Sequence, residues 1–253
     1  MSAPQIGLQL YTLRDLTKTD FPATMKQVAK IGYKFVEMAG WGNLGSAREA
    51  KNALDDAGLK VCGHHASLAE LETKLDSVLD DCETLGTTVL VLPFMPEDRR
   101  KDGPAWKKIA ETLTSIGRAT HERGVDFAYH NHSFEFQKFD GKYGLDLLYE
   151  NSKPHLVKAE IDVYWVKHGG EDPVGYQKKL ADRVVSLHLK DMAEGEERRF
   201  APVGTGLLDF KAIMEAATAA GTRWGVVEQD NCYDTPPLEA IKISRENLMQ
   251  LGF

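Results

Sequence analysis

Three side chains of the kinds that bind metals or move protons, Asp162, His188 and Glu228, each end a separate apolar, strand-like run, at residues 157–162, 184–188 and 224–228. A fourth run, 125–132, ends in two more imidazoles, His130 and His132. Ligand-type residues at the ends of successive parallel strands converge in space when those strands close into a barrel. Two nitrogens and two carboxylates suit a divalent metal that keeps open positions for substrate. Burying Asp162 beside Val163, Tyr164 and Trp165 without a cation would be costly, which favours a ligand over a carboxylate that only caps the next segment. Alternation along a strand puts His188 and Lys190 on one face and Leu187 and Leu189 on the other. By the same rule His130 and His132 share a face and Asn131 points away. One imidazole can ligate while the other hydrogen-bonds substrate or a carboxylate, and the spacing leaves open which does which.

Other candidates lie around this set. Glu135, flanked by Phe134 and Phe136, can line a pocket. Glu37 and His65 end the second and third strand-like runs and can reach substrate hydroxyls. Trp41 and Trp165 can floor a sugar site, although core packing is the commoner fate of tryptophan. The glycine-containing stretch 203–209, with Arg198 and Arg199 nearby, can cradle an anion. It lacks the Walker pattern, and Asp209 reads equally as a helix N-cap.

The elements that must position these residues alternate along the chain. Strand-like runs fall at 5–11, 33–38, 59–63, 87–94, 125–132, 157–162, 184–188 and 224–228. Helix-like segments fall at 21–31, 46–57, 68–85, 104–123, 145–150, 173–180, 209–220 and 237–251. Asp20 is placed to cap the first of these helices, and Gly32, Gly58, Gly86 and Gly124 to stop four of them. Eight such units predict an α/β fold, a (β/α)8 TIM barrel forming one domain over 1–253. An open doubly wound sheet would usually carry a glycine-rich fingerprint after its first strand, and none follows here.

The 253 residues carry a formal charge of −7 and a pI near 5.7. That balance disfavours nucleic-acid binding, since phosphate backbones are held mainly by excess Lys and Arg. Cys62, Cys82 and Cys232 are an odd, widely spaced set and read as reduced packing thiols. The first residues lack a basic, apolar leader and no segment approaches a membrane span, so the expected location is the cytoplasm. A small carbohydrate is the expected partner, and homo-oligomerisation is left open.

The strand endings resemble those of the sugar phosphate isomerase/epimerase family with the xylose isomerase-like TIM barrel. The resemblance runs from Ile6–Tyr11 through Phe35-Val36-Glu37 to His188-Leu189-Lys190-Asp191, the 203–209 stretch and Val227-Glu228. It implies a divalent ion, manganese foremost and magnesium, cobalt or zinc as alternatives, held at His130, Asp162, His188 and Glu228. The family's quartet is Glu, Asp, His and Glu, so His130 replaces its first carboxylate. In the epimerases two glutamates exchange protons with the substrate from opposite faces, and this replacement removes one of them. The implied activity is isomerisation or epimerisation of a keto-sugar or related polyol through an enediolate. Glu228 would be the base, His132 or Glu135 would relay a proton and Lys190 would stabilise negative charge. The alternative is a lyase or dehydratase acting on a 3-keto-glycoside or keto-inositol. A metal-dependent endonuclease and a non-catalytic binding protein are the remaining rivals.

Overall fold

Short apolar runs bounded by glycine and polar turns become strands when helices cover their outer faces. The computed structural model describes residues 2–253. Its inner wall is β1 Gln5–Gln9, β2 Phe35–Met38, β3 Lys60–His65, β4 Val89–Leu92, β5 Asp126–His130, β6 Lys158–Asp162, β7 Val184–Leu189 and β8 Trp224–Val227. Each strand pairs in parallel with its sequence neighbours, and β8 returns to β1, so the sheet closes as the expected (β/α)8 barrel. Most of the core lies between this wall and the helices, with Leu90, Leu92, Phe127, Tyr129, Leu187 and Leu189 facing outward into it. A separate small cluster of Val89, Val91, Ala128 and Val185, with Trp224 against it, is the other apolar layer. Ala128 shares a face of β5 with His130, so this layer lies inside the barrel beneath the imidazoles.

Two register shifts bear on the site. Pairing of β2 with β3 slips between Val36 and Glu37, and pairing of β6 with β7 slips between Ala159 and Glu160. Such irregularities re-aim side chains beside active sites, and both here fall directly before a buried carboxylate. Gly63 belongs to the first: a Cβ at that position would collide with Glu37 Oε1, so only glycine leaves room for the carboxylate.

The expected elements need four corrections. Residues Leu10–Leu13 leave the strand for a 3-10 turn. The first helix starts at Arg14 and bends at Asp20, whose φ of −155° and ψ of 92° are not helical. Asp20 Oδ1 there accepts the Ala23 N–H at 2.9 Å, so the anticipated cap operates inside a longer element. The expected 68–85 helix is two, Leu68–Thr73 and Leu75–Leu85, with Ser67 and Glu70 forming a capping box on the first. An unanticipated helix, Val163–His168, follows β6 directly, its N-terminus capped by Asp162 Oδ1 accepting from the Trp165 N–H at 2.9 Å. No helix among the described residues is long and apolar enough to cross a membrane.

The stretch 203–209 does cradle an anion, but the anion belongs to the chain. Asp191 Oδ1 accepts from Met192 N–H at 2.7 Å and Leu208 N–H at 3.1 Å, and Oδ2 from Gly204 N–H at 3.0 Å and Gly206 N–H at 2.8 Å. At Gly206 a Cβ would strike the Met192 carbonyl. Asp209 Oδ1 separately caps the next helix by accepting from Ala212 N–H at 3.0 Å. Asp191→Ala leaves these four N–H groups without their acceptor and is expected to cost about 2–4 kcal/mol. A thermal melt checks this; an unchanged melting temperature would show that water replaces the carboxylate.

Candidate active site and metal centre

The C-terminal ends of the strands open into a cavity of about 470 Å³. His188, on the inner face of β7, is fully buried against Glu228 and His65, two of the residues that line it. Its Nδ1 donates to Glu228 Oε2 at 2.8 Å, and its Nε2 donates to Glu37 Oε2 at 2.7 Å and lies 3.0 Å from Glu160 Oε1. Two clusters therefore share this one ring. On the Nδ1 side, His130, Asp162, His188 and Glu228 each offer one donor atom, and these atoms all lie within 4.8 Å of one another. Glu37, His65, Glu160 and His188 form the second such group.

The second group is held by polar residues deeper in the barrel. Gln9 Nε2 donates to Glu37 at 2.8 Å, and Ser186 Oγ donates to Glu160 Oε2 at 2.5 Å. His65 lies 3.0 Å from Glu37 Oε2 and 3.2 Å from Glu160 Oε1, its ring stacked on His188 at 5.6 Å between centroids. Burial works against charging His65, but Glu37 and Glu160 outweigh it and raise its pKa to about 9. His188 follows the same balance: burial opposes its charge, while Glu160, Glu228 and Glu37 push its pKa well above the ordinary value.

Lys190 is 1% exposed, and its ammonium stands among three carboxylates. Nζ lies 2.6 Å from Glu228 Oε2, 2.6 Å from Asp230 Oδ1 and 3.0 Å from Asp162 Oδ2. Burial alone would lower its pKa, and these three neighbours raise it well above the ordinary lysine value. Burial likewise pushes Glu228 up, yet Lys190 and His188 hold it well below the usual carboxylate range. For Asp162 burial is outweighed by Lys190 and His130. One ammonium against three carboxylates leaves negative charge in excess, and the His130, Asp162, His188 and Glu228 donors mix nitrogen with oxygen. Both features fit a divalent cation.

The expected site residues separate into three groups. His130 joins the cluster, its Nε2 3.2 Å from Asp162 Oδ2 and its Nδ1 3.1 Å from the Pro93 carbonyl. Asn131 turns aside as anticipated, and its Oδ1 accepts from the Asp162 N–H at 3.0 Å. His132 stands one ring out, edge-on to His130 at 4.8 Å, and lines the cavity. Burial, with His130 and Lys190 close by, lowers its pKa to about 2 and keeps it neutral. Glu135 does not join them: Oε1 accepts from Tyr129 Oη at 2.6 Å and Oε2 from the His132 N–H at 2.9 Å, so it braces the backbone of the loop. Glu37 acts from behind His65 and His188. Trp165 packs beside His132 at 5.6 Å between centroids, and its indole Nε1, like His132 Nδ1, is buried without a hydrogen-bond partner. Trp41 instead stacks on His64 at 5.1 Å.

Glu160, Ser186, Gln9 and Asp230 were not singled out in the sequence. Glu160 and Ser186 each precede an expected ligand by two residues, as Asp230 follows Glu228. The period of two that linked His188 to Lys190 would have found Glu160 and Ser186, whereas Asp230 lies past the end of β8 and Gln9 stands beside no expected ligand.

A closed barrel with a buried, metal-compatible cluster at the C-terminal ends of its strands defines a class of (β/α)8 enzymes. The chain belongs to the xylose isomerase-like TIM barrel family, whose model matches residues 25–251. Among curated proteins it is similar to inosose dehydratase of Lacticaseibacillus casei, 27% identical over 159 residues, which are 55% of this chain and 53% of that protein. The match thus spans about half the length of that relative. Among solved structures it resembles a sugar phosphate isomerase/epimerase from Parabacteroides distasonis, 26% identical with a TM-score of 0.83, covering 98% of this chain and 94% of that one. The IOLI protein, solved with a zinc atom, shares the fold at 14% identity and a TM-score of 0.72, over 98% of this chain and 97% of its own.

Proposed function

We propose that the chain removes the proton beside the carbonyl of a keto-sugar or keto-polyol and then expels a β-substituent, as a lyase or dehydratase. The observation that carries this reading is the placement of the carboxylates. Glu228 and Asp230, the carboxylates that line the cavity, both follow β8, whereas β3 and β5 across the barrel present His65, His130 and His132. A symmetrical exchange between two carboxylates on opposite faces lacks its second member, while elimination needs one base and one acid. The similarity to inosose dehydratases supports the same choice.

His130, Asp162, His188 and Glu228 would hold a divalent ion, manganese foremost, with zinc, cobalt or magnesium as alternatives. When bound, such an ion polarises the substrate carbonyl and makes the neighbouring C–H more acidic. Glu228 takes that proton, and Lys190 faces the negative charge that develops on oxygen. His65, held as an imidazolium by Glu37 and Glu160, gives a proton to the departing oxygen as the β C–O bond breaks. The electron pair from the C–H bond becomes the new C=C bond, and water or an alcohol leaves. Glu37, Glu160 and Ser186 keep His65 and His188 in place.

Isomerisation or epimerisation shares the first step and has separate support in the nearly full-length likeness to the Parabacteroides distasonis protein. The test is incubation with a keto-inositol and a 3-keto-glycoside in deuterated water, followed by mass spectrometry. Deuterium uptake beside the carbonyl that stops on chelation, with loss of water or aglycone, is the expected result. Uptake without loss of water or aglycone would move the assignment to isomerisation, and uptake indifferent to chelation would remove the metal from the reading.

A further inference from the structure

The mouth of the cavity differs in character from its floor. Few large apolar side chains stay exposed in this chain, and two of them, Phe94 at 48% and Tyr11 at 44%, line the same cavity. Both are held in place. Phe94 packs edge-on against His132 at 5.6 Å and Phe134 at 5.3 Å, and Arg100 covers the Phe134 ring at 3.8 Å. Tyr11 is fixed by its N–H donating to Gln9 Oε1 at 3.0 Å and by the Arg14 guanidinium, 4.4 Å from its ring centroid. Leaving fixed aromatic faces in water is unfavourable unless something covers them, and here they continue a cavity that already leads to the candidate active site.

The charges around that cavity say what the occupant lacks. Its carboxylates, Glu228 and Asp230, would repel an anion. The cations that reach it are already engaged: Lys190 by three carboxylates at 2.6–3.0 Å, and His65 by two at 3.0 and 3.2 Å. Arg14, beside the mouth, donates to the carbonyls of Tyr11 and Asp230 at 3.0 Å each. The glycine-containing loop that would suit a phosphate is filled by Asp191. His132, which lines the cavity and whose Nδ1 is without a hydrogen-bond partner, matches a hydroxyl group.

We propose that the site takes an uncharged, non-phosphorylated sugar or polyol bearing an apolar or aromatic substituent, which rests on Tyr11 and Phe94 at the cavity mouth. The sugar half rests on the function proposed above; the mouth and the exclusion of phosphate rest on the aromatics and charges just described. Calorimetric titration of the full chain with phenyl β-glucoside, methyl β-glucoside and glucose 6-phosphate tests it without turnover. The phenyl glycoside is expected to bind about 10-fold tighter than the methyl glycoside, and the phosphate more weakly than either. Phe94→Ala and Tyr11→Ala should each weaken phenyl glycoside binding more than methyl glycoside binding, and so shrink the phenyl preference. Equal binding of the two glycosides, or tighter binding of the phosphate, would overturn the inference and leave proton abstraction standing. Phenyl preference without deuterium exchange into any keto-sugar would support the mouth subsite and remove the proposed reaction.

Discussion

Lys190→Met is expected to destabilise the metal-free chain by about 3–5 kcal/mol, the usual cost of removing one partner from a buried ion cluster. Methionine fills nearly the same volume, so the loss is electrostatic. Asp162, Glu228 and Asp230 then lose the ammonium 2.6–3.0 Å away, and must either stay buried as uncompensated charges or take up protons to fold. At roughly 2–4 °C per kcal/mol for a chain of this size, the melting temperature should fall by about 6–20 °C.

Metal binding should move the other way. Two of the oxygens that Lys190 contacts, Asp162 Oδ2 and Glu228 Oε2, belong to the four-ligand cluster. In the parent chain a divalent ion must compete with the ammonium for them, while Asp230 offers Lys190 a place to withdraw. In Lys190→Met no competitor remains. Saturating manganese or zinc should therefore raise the melting temperature of the variant more than that of the parent, and titration should give tighter binding. A variant as stable as the parent, or one that binds metal more weakly, would show that Lys190 and the ion do not share these oxygens.

What could be read from the sequence divides along physical lines. Asp162, His188 and Glu228 stood out because a charged or imidazole side chain after an apolar run is expensive unless it is used. Glu160 was hidden by the same economy: inside the run 157–162 it looks like one polar interruption, and only the closed barrel brings it to His65 and His188. The (β/α)8 order followed from regular alternation, whereas the helix Val163–His168 did not, because it is short, rich in β-branched and aromatic residues, and begun by a carboxylate already assigned elsewhere. In the 203–209 loop the anion-binding shape was legible but the anion was not. Asp191 is distant enough in sequence that only folding places it among those N–H groups.

Glu228→Gln is expected to reduce deuterium exchange into a keto-sugar by about 10²–10⁴-fold, the range that a lost general base commands. The side chain keeps its shape, with an amide oxygen available at the position that lies 2.8 Å from His188 Nδ1 in the parent. What disappears is the negative charge that Lys190 and His188 keep ionised despite burial. Glu228 is also one of the four candidate ligands, so the measurement must be made at saturating metal with bound metal counted. Asp230→Asn is the matched control: it lines the same cavity and touches the same lysine at 2.6 Å, but lies outside the four-ligand cluster. That variant should hold exchange within about 10-fold of the parent, because it removes neither a ligand nor the proposed base. If both variants lose exchange equally, the role belongs to the shared field around Lys190. If Glu228→Gln retains exchange with metal bound, the base is another residue, and His132, neutral and facing the cavity, is the next to replace.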